Sequence, residues 1–262
     1  MRVMLCKDLA GKCVLITGGS RGIGRGMARQ FHELGSKVAI NYNNAEVQAR
    51  ELKDQLGSNA EIFKADVSKR KEVVELVSQA LDKFGRIDVL VNNAGIVDGM
   101  RFDEFEESQF ERLWGINFMG TVYPTLEVLK GMKTQKSGSI INISSNLGIG
   151  GASGGATYYG VTKTAVVTLT KRLAYELGDY GIRANAIAPG WIRTDMTTLG
   201  RTPGELEETE ASIRSKNDLR MIGEPVHIAK LACFLASDDA ALITGQLIVA
   251  DGGRFDYLSH GL

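Results

Sequence analysis

Residues 142–163 read NISSNLGIGGASGGATYYGVTK, and the organisation of the chain follows from them. The run before and into it, 139–144 (SIINIS), is strand-like. It delivers Ser145 into a loop crowded with Gly148, Gly150, Gly151, Gly154 and Gly155. A helical pattern then starts near Thr157 and carries Tyr159 and Lys163. Residues four apart on a helix share a face on adjacent turns, so the Lys163 ammonium falls near the Tyr159 hydroxyl. A tyrosine with its ordinary pKa of roughly 10 is a poor base at neutral pH. Bringing it down to neutrality takes roughly 4 kcal/mol, about what one cation at ~4 Å supplies at an effective dielectric near ~20. A serine hydroxyl at the end of the preceding strand can hold a substrate oxygen beside that pair. The stretch therefore reads as a proton-transfer device for a carbonyl or an alcohol.

Tyrosine and lysine at this spacing occur by chance on many amphipathic helices, so the reading depends on the rest of the chain. Residues 12–17 (KCVLIT) form a short apolar run of the kind buried in parallel sheets. Thr17, Gly18, Gly19, Ser20, Arg21, Gly22, Ile23 and Gly24 follow, and then a helical stripe of Ile23, Met27, Phe31 and Leu34 that stops at Gly35. Strand, glycine turn and helix aim backbone N–H groups and a helix N-terminus at a pyrophosphate. The spacing is Gly-x3-Gly-x-Gly. Further strands are expected at 37–42, 60–65 (leading to Asp66), 87–91 (closing on Asn92, Asn93, Ala94 and Gly95), 182–188 (broken by Pro189 and Gly190) and 244–250. Helices are expected between them at 44–56, 68–84 with Ser68 as N-cap, 105–132, and from 225 to 236. Pro124 leaves the Gly120 carbonyl without its helical partner, so a kink is expected near it. Alternation of this kind means a parallel sheet with helices on both faces, and ligands gather at the carboxyl ends of its strands. The glycine turn, Asp66, Asn92 and Ser145 all fall at those ends.

The composition is that of an ordinary soluble domain. Of 262 residues, 44% are hydrophobic and 24% charged, and 31 Lys and Arg balance 31 Asp and Glu. Nothing in that balance calls for nucleic acid or an anionic membrane. No apolar run reaches the ~18 residues of a membrane span, and the first residues, MRVMLCKDLAGK, lack the apolar stretch of a signal peptide. Cys6, Cys13 and Cys233 are scattered, as are His32, His227 and His260, which argues against a disulfide framework or a metal site. A cytoplasmic, metal-free protein is expected. Residues 191–222 are polar and irregular, with an acidic cluster at Glu205, Glu207, Glu208 and Glu210, and are expected to form a mobile lid with that cluster on a solvated helix face.

With Thr17-Gly18-x3-Gly22-x-Gly24, Asn92-Asn93-Ala94-Gly95, Asn117, Ser145, Tyr159-x3-Lys163 and Pro189-Gly190 in order, the chain resembles the short-chain dehydrogenase/reductase family over essentially its whole length. The resemblance implies an α/β fold: one Rossmann-type doubly wound domain, residues 1–262, with a seven-stranded parallel sheet flanked by helices. It also implies a nicotinamide cofactor and a homotetramer. By the same resemblance Tyr159 is the acid/base, and Lys163 holds the nicotinamide ribose and depresses the Tyr159 pKa. Ser145 steadies the substrate oxygen, and Asn117 anchors a water of a proton relay through its backbone carbonyl. Thr17, Gly18, Ser20, Arg21, Gly22, Ile23, Gly24, Asn41, Asp66, Val67, Asn93, Ala94, Gly95, Pro189, Gly190, Ile192 and Thr194 are the implied cofactor contacts. Asp66 would take the adenine edge, Asn93 to Gly95 the adenosine side and Thr194 the carboxamide. Tyr158 becomes a pocket wall, because only Tyr159 has a lysine at +4. The Ser145–Tyr159 spacing is one residue longer than is usual in that family, which implies a bulged loop.

Cofactor choice follows from the second strand. Relatives that prefer NAD carry an acid at its end for the ribose 2′-OH. Here neutral Asn41 stands there, and Arg21 in the glycine turn suits a phosphate, so NADP(H) is expected over NAD(H). Two ketone–alcohol substrate classes compete. The 194–196 segment (TDM) resembles 3-oxoacyl-carrier reductases; of the basic docking positions of those enzymes, Lys136 fits one and Tyr180 misses the other. The tail from Arg254 to Leu262 has the length of that in sugar dehydrogenases. A nucleotide-binding sensor without turnover is the reading of a different class, and the intact set of Asn117, Ser145, Tyr159 and Lys163 argues against it.

Overall fold

A computed structural model describes residues 5–151 and 155–257. Seven parallel strands form one sheet: β1 (Cys13–Ile16), β2 (Lys37–Tyr42), β3 (Ala60–Lys64), β4 (Val89–Asn92), β5 (Gly138–Ile143), β6 (Ile182–Pro189) and β7 (Leu247–Ala250). Their order is β3-β2-β1-β4-β5-β6-β7, so the direction of winding reverses between β1 and β4. At such a reversal the loops leave the carboxyl edge in opposite directions and a crevice opens between them. The β1–β4 register, Val14 opposite Val89 and Ile16 opposite Val91, puts the glycine turn directly beside the loop that starts at Asn93.

All four residues of β1 are buried, because helices cover both faces of the sheet. On one face Val14, Ile16, Val38, Ile40, Val89 and Val91 pack against Met27 and Phe31 of α1 (Gly22–Glu33), Leu52 of α2 (Glu46–Leu56) and Ile228 and Ala232 of α9 (Pro225–Ala236). On the other, Leu15, Ala39, Leu90 and Ile140 pack against Val73 and Leu76 of α3 (Arg70–Phe84), Val128 and Met132 of α5 (Gly120–Gln135) and Leu177 of α6 (Thr157–Leu177). Successive strand residues point to opposite faces, which is why neighbouring residues of one strand belong to different cores.

Two helix expectations change. Ser68 does not cap α3. Its hydroxyl and amide both donate to Asp66 Oδ1, at 2.7 and 3.0 Å, and α3 begins two residues later. The helix expected over 105–132 is α4 (Glu107–Trp114), then a π-helical segment (Gly115–Met119), then α5. The departure from α-helical winding thus comes before Pro124, one turn earlier than the proline alone implied. Gly120 at the junction lies so close to Val67 that a β-carbon there would be 2.7 Å from Val67 Cγ2.

Residues 191–222, expected to form a lid, contain regular structure. They hold α7 (Asp195–Thr198) and α8 (Pro203–Ser215), and α8 opens with a capping box between Thr202 and Glu205 and with Pro203 in its first turn. The acidic cluster is divided: Glu207 and Glu208 are exposed, whereas Glu210 is 4% exposed and ion-paired with Arg193 and Arg214. A buried carboxylate needs such partners, and here they tie α8 back to the end of β6.

Candidate active site

The carboxyl ends of β1, β4, β5 and β6 converge on one crevice. At β1, Thr17 Oγ1 accepts the Asn93 and Ala94 amides at 3.0 and 3.1 Å, and Asn93 Nδ2 donates to the Thr17 and Gly18 carbonyls at 2.9 and 3.0 Å. These bonds weld the glycine turn to the β4 loop. The Asn93 side chain is therefore committed to the turn. Gly18 and Gly22 have φ of +61° and +51°, which disfavours any other residue. At Gly24 a β-carbon would lie 2.3 Å from the Gly18 carbonyl oxygen, and at Gly22 it would lie 3.2 Å from Thr194 Cγ2. Thr194, after β6, thus sits over the glycine turn. At Gly190 a β-carbon would lie 2.5 Å from Asp251 Cβ.

The cradle fits a dinucleotide. Arg21, the N-cap of α1, offers no side-chain cap, so the amides of the first turn have no such partner and face the crevice with the positive end of the helix. Arg21 is exposed and has no ion pair among the described residues. Ser20 and Ile192 are buried, Ile23 is half-buried, and the Val67 side chain is 5% exposed and spent on packing beneath Gly120.

Asn41 is not where the sequence placed it. It is 1% exposed and faces inward. Its Oδ1 accepts the Gly18 amide at 3.2 Å, and its Nδ2 donates to the carbonyls of Tyr42, Phe63 and Ala65 at 3.3, 3.4 and 3.0 Å. The side chain fastens the glycine turn to β3 and, buried, is closed off from a ribose. Neutrality at the end of β2 is kept by exposed Asn43 and Asn44; the next acid, Glu46, is held by Arg50 at 2.6 Å.

Ser145, Tyr159 and Lys163 meet beyond the cradle. Ser145 is 8% exposed, and its Oγ accepts the Leu147 amide at 3.2 Å. Ser144 points the other way and donates to the Lys163 carbonyl at 2.9 Å. Burial raises the Tyr159 phenol above its ordinary value, and a hydrogen bond from the Ser145 side chain pulls it partly back. Lys163, expected to depress it, is not among the groups that shift it. Lys163 Nζ lies 5.8 Å from the Tyr159 ring centroid and donates to the Ile143 carbonyl at 3.0 Å. Burial also lowers the Lys163 pKa to about 8. A β-carbon on Gly95 would lie 3.3 Å from both Lys163 Nζ and Asn117 Oδ1, so this glycine keeps the corner open.

Asn117 lies in the π segment and is fully buried. Its Oδ1 accepts the Ile96 amide at 2.9 Å, and its Nδ2 donates to the Ile96 carbonyl at 2.9 Å and to Thr162 Oγ1 at 3.1 Å. It clamps the β4 loop to the helix that carries Tyr159. Its own carbonyl accepts Thr121 Oγ1 at 3.1 Å. Tyr158 donates to the Phe102 carbonyl at 2.9 Å and sits among Phe102, Phe105 and Phe110. Thr162 and Thr121 were not singled out in the sequence; both lie one helical turn from a site residue, where a buried threonine is the available signal. The bulge implied between Ser145 and Tyr159 falls partly on residues 152–154, outside the described residues.

A family model described as Enoyl-(Acyl carrier protein) reductase matches residues 18–254. The chain belongs to the short-chain dehydrogenase/reductase family. Among curated members of the family, a 3-oxoacyl-[acyl-carrier-protein] reductase of Staphylococcus epidermidis is 38% identical over 248 residues, 93% of this chain and 99% of that protein. The protein of the same name from Chlamydia muridarum is 38% identical over 94% of this chain and 98% of its own. That of Thermotoga maritima is 37% identical over 94% and 98%. The solved structure of ElxO with NADP bound superposes with a TM-score of 0.85 at 38% identity, over 95% of this chain and 99% of that one.

Proposed function

We propose that the protein reduces a 3-oxoacyl thioester to the 3-hydroxyacyl thioester with NADPH. The observation that carries this reading is the buried corner in which Ser145, Tyr159 and Lys163 meet beside an anion-ready glycine turn, in a chain that matches 3-oxoacyl reductases from end to end. NADPH, when bound, supplies the hydride. The chain's own residues do the rest. Ser145 Oγ holds the 3-oxo oxygen, and the Tyr159 phenol gives its proton to that oxygen as negative charge develops there. A phenol raised above its ordinary value is fully protonated at neutral pH, so it stands ready as the acid of the reductive direction. Lys163 would hold the nicotinamide ribose, and the Asn117 carbonyl would seat a water behind it. Arg21 receives the 2′-phosphate, Thr194 the carboxamide and Asp66 the adenine edge.

The aromatic rings of Phe102, Phe105 and Tyr158 beside the acid suit an acyl chain better than a polyhydroxylated sugar. Exposed Lys136 and Lys133, the latter 4.5 Å from the Tyr180 ring centroid, form a small cationic patch before the amino end of β5, which an acidic carrier protein would suit. Residues 191–222 close over the substrate, and the protein works as a cytoplasmic homotetramer. Among the described residues no helix is long and apolar enough to cross a membrane. The test is turnover of acetoacetyl thioester, followed as loss of NADPH absorbance, alongside aldoses with NADP. Rapid thioester reduction supports the reading; aldose oxidation without thioester reduction overturns it.

A further inference from the structure

The chain does not end its work at β7. Asp251 follows that strand, and Gly252 and Gly253, at φ +78° and +75°, turn the backbone back across the crevice. Residues 254–257 then touch two separate segments. On one side Tyr257 pairs with Gly151 in an antiparallel bridge, and its hydroxyl donates to Asp251 Oδ2 at 2.7 Å. The same Asp251 oxygen lies 3.5 Å from Nδ2 of Asn146, a buried residue that directly follows Ser145. On the other side Arg254 bridges Asn217, just beyond α8. The Asp218 and Leu219 amides donate to the Gly253 and Gly252 carbonyls, both at 3.0 Å, and the Phe255 amide donates to the Lys216 carbonyl at 3.3 Å. Asp256 is held by Arg254 through bonds of 2.5 and 2.7 Å, with both side chains buried, so the turn itself is stiff.

We propose that residues 251–257 form a strap that fixes the Ser145 loop against the segment over the substrate, with Tyr257 and Asp251 as positioning residues. The inference rests on the catalytic reading of Ser145 given above. Its physical basis is the hydrogen-bonded chain from Tyr257 through Asp251 to Asn146. A serine that must meet a substrate oxygen within hydrogen-bond distance cannot tolerate a loop free to shift by an ångström. Burial and the bond to Asp251 hold the Tyr257 phenol far above its ordinary pKa, so it remains a donor at any working pH.

Tyr257→Phe removes one hydroxyl from the chain and keeps the ring that packs the turn. The expected result is a kcat lowered about tenfold with the KM for NADPH unchanged, because only alignment at the serine is lost. Asp251 Oδ1 accepts the Gly253 and Arg254 amides while Oδ2 takes Tyr257 and Asn146, so Asp251→Asn sets an NH2 against one pair of donors and is expected to lose kcat as Tyr257→Phe does, with Asp251→Ala falling at least as far. Hydrogen exchange on the unliganded protein reads the same effect without turnover. In Tyr257→Phe the amides of Gly148 and Gly151, bonded to the Ser145 and Asn146 carbonyls, exchange faster while those of β1 and β4 do not. Exchange unchanged at Gly148 and Gly151, or raised equally across the sheet, overturns the strap. Wild-type protein inert toward the thioester counts against the proposed function alone, and the exchange measurement still decides this inference.

Discussion

Asn41→Asp separates two accounts of the end of β2. If that position faced the ribose, a carboxylate would repel the 2′-phosphate and turn the enzyme toward NAD(H). The structure assigns the side chain to the glycine turn instead. The substitution replaces an NH2 group that donates to three carbonyls, those of Tyr42, Phe63 and Ala65, by an oxygen that, when ionised, repels all three. Just one of the four bonds, that from the Gly18 amide at 3.2 Å, survives as drawn. At 1% exposure and with no cation among its contacts, the introduced carboxyl is either a buried unpaired charge or a proton-bound acid. An uncompensated buried charge costs about 3–5 kcal/mol. For a domain of this size each kcal/mol moves the Tm by about 2–4 °C, so a loss of roughly 6–20 °C is expected near neutral pH. The sign with pH also follows. Burial raises the folded-state pKa of the introduced carboxyl above its unfolded value, so the penalty is small in acid and grows as pH rises through the raised value. Thermal unfolding of wild type and variant across that range measures it. An Asn41→Asp protein as stable as wild type at every pH, and switched to NAD(H), would refute the assignment.

Ser145→Ala should lose at least about a hundredfold in kcat, whereas Ser144→Ala, which gives up only the bond to the Lys163 carbonyl, should lose stability of about 1 kcal/mol and keep most of its turnover; steady-state rates and urea unfolding of both variants check this. Arg21→Ala should weaken NADPH binding by about tenfold or more and leave NADH binding unaltered, because the guanidinium has no other partner to lose; cofactor fluorescence titration reads both. Lys163 has a folded pKa of about 8 against an ordinary value of 10.5. Between those limits the unfolded chain binds the extra proton, so this group costs stability below about pH 8 and the cost is relieved as pH rises. Lys163→Met should therefore unfold at a higher temperature than wild type at neutral pH, with the gap closing in mild alkali, and saturating NADPH should narrow it as well.

Most of the sheet was legible because its strands are buried on both faces and so read as unbroken apolar runs; residues 37–42 were placed without error. That Ser145, Tyr159 and Lys163 share a corner was legible from a strand end and helix periodicity, but only with the upstream strands and glycine turn to set them at one sheet edge. Other features depend on partners far away in the sequence. Nothing in NYNN at 41–44 tells that Asn41 turns inward, because its three acceptors include carbonyls of the neighbouring edge strand. Nothing in RFDY at 254–257 announces Gly151 or Asn217. The state of Lys163 depends on the Ile143 carbonyl at the end of β5, which periodicity on the helix cannot supply. Glu210 was readable in principle. It falls between Leu206 and Ile213 on the inner stripe of α8, which a solvated acidic face would not share.

The π segment at Gly115–Met119 has a consequence for how this helix can vary. An i→i+5 turn accommodates one residue more than an i→i+4 turn, so the segment is a place where the chain carries a spare position. Deleting Ile116 would let the turn close as ordinary α-helix while Phe110 and Trp114 on one flank, and Val128 and Met132 on the other, keep their existing angular phase. What would go is the winding that sets the Asn117 side chain against Ile96 and Thr162. Far-UV circular dichroism and cofactor binding should then survive an indel that abolishes turnover. Helix length here is thus a dial set for chemistry and tolerated by the fold, and shortening it by one tells the two apart.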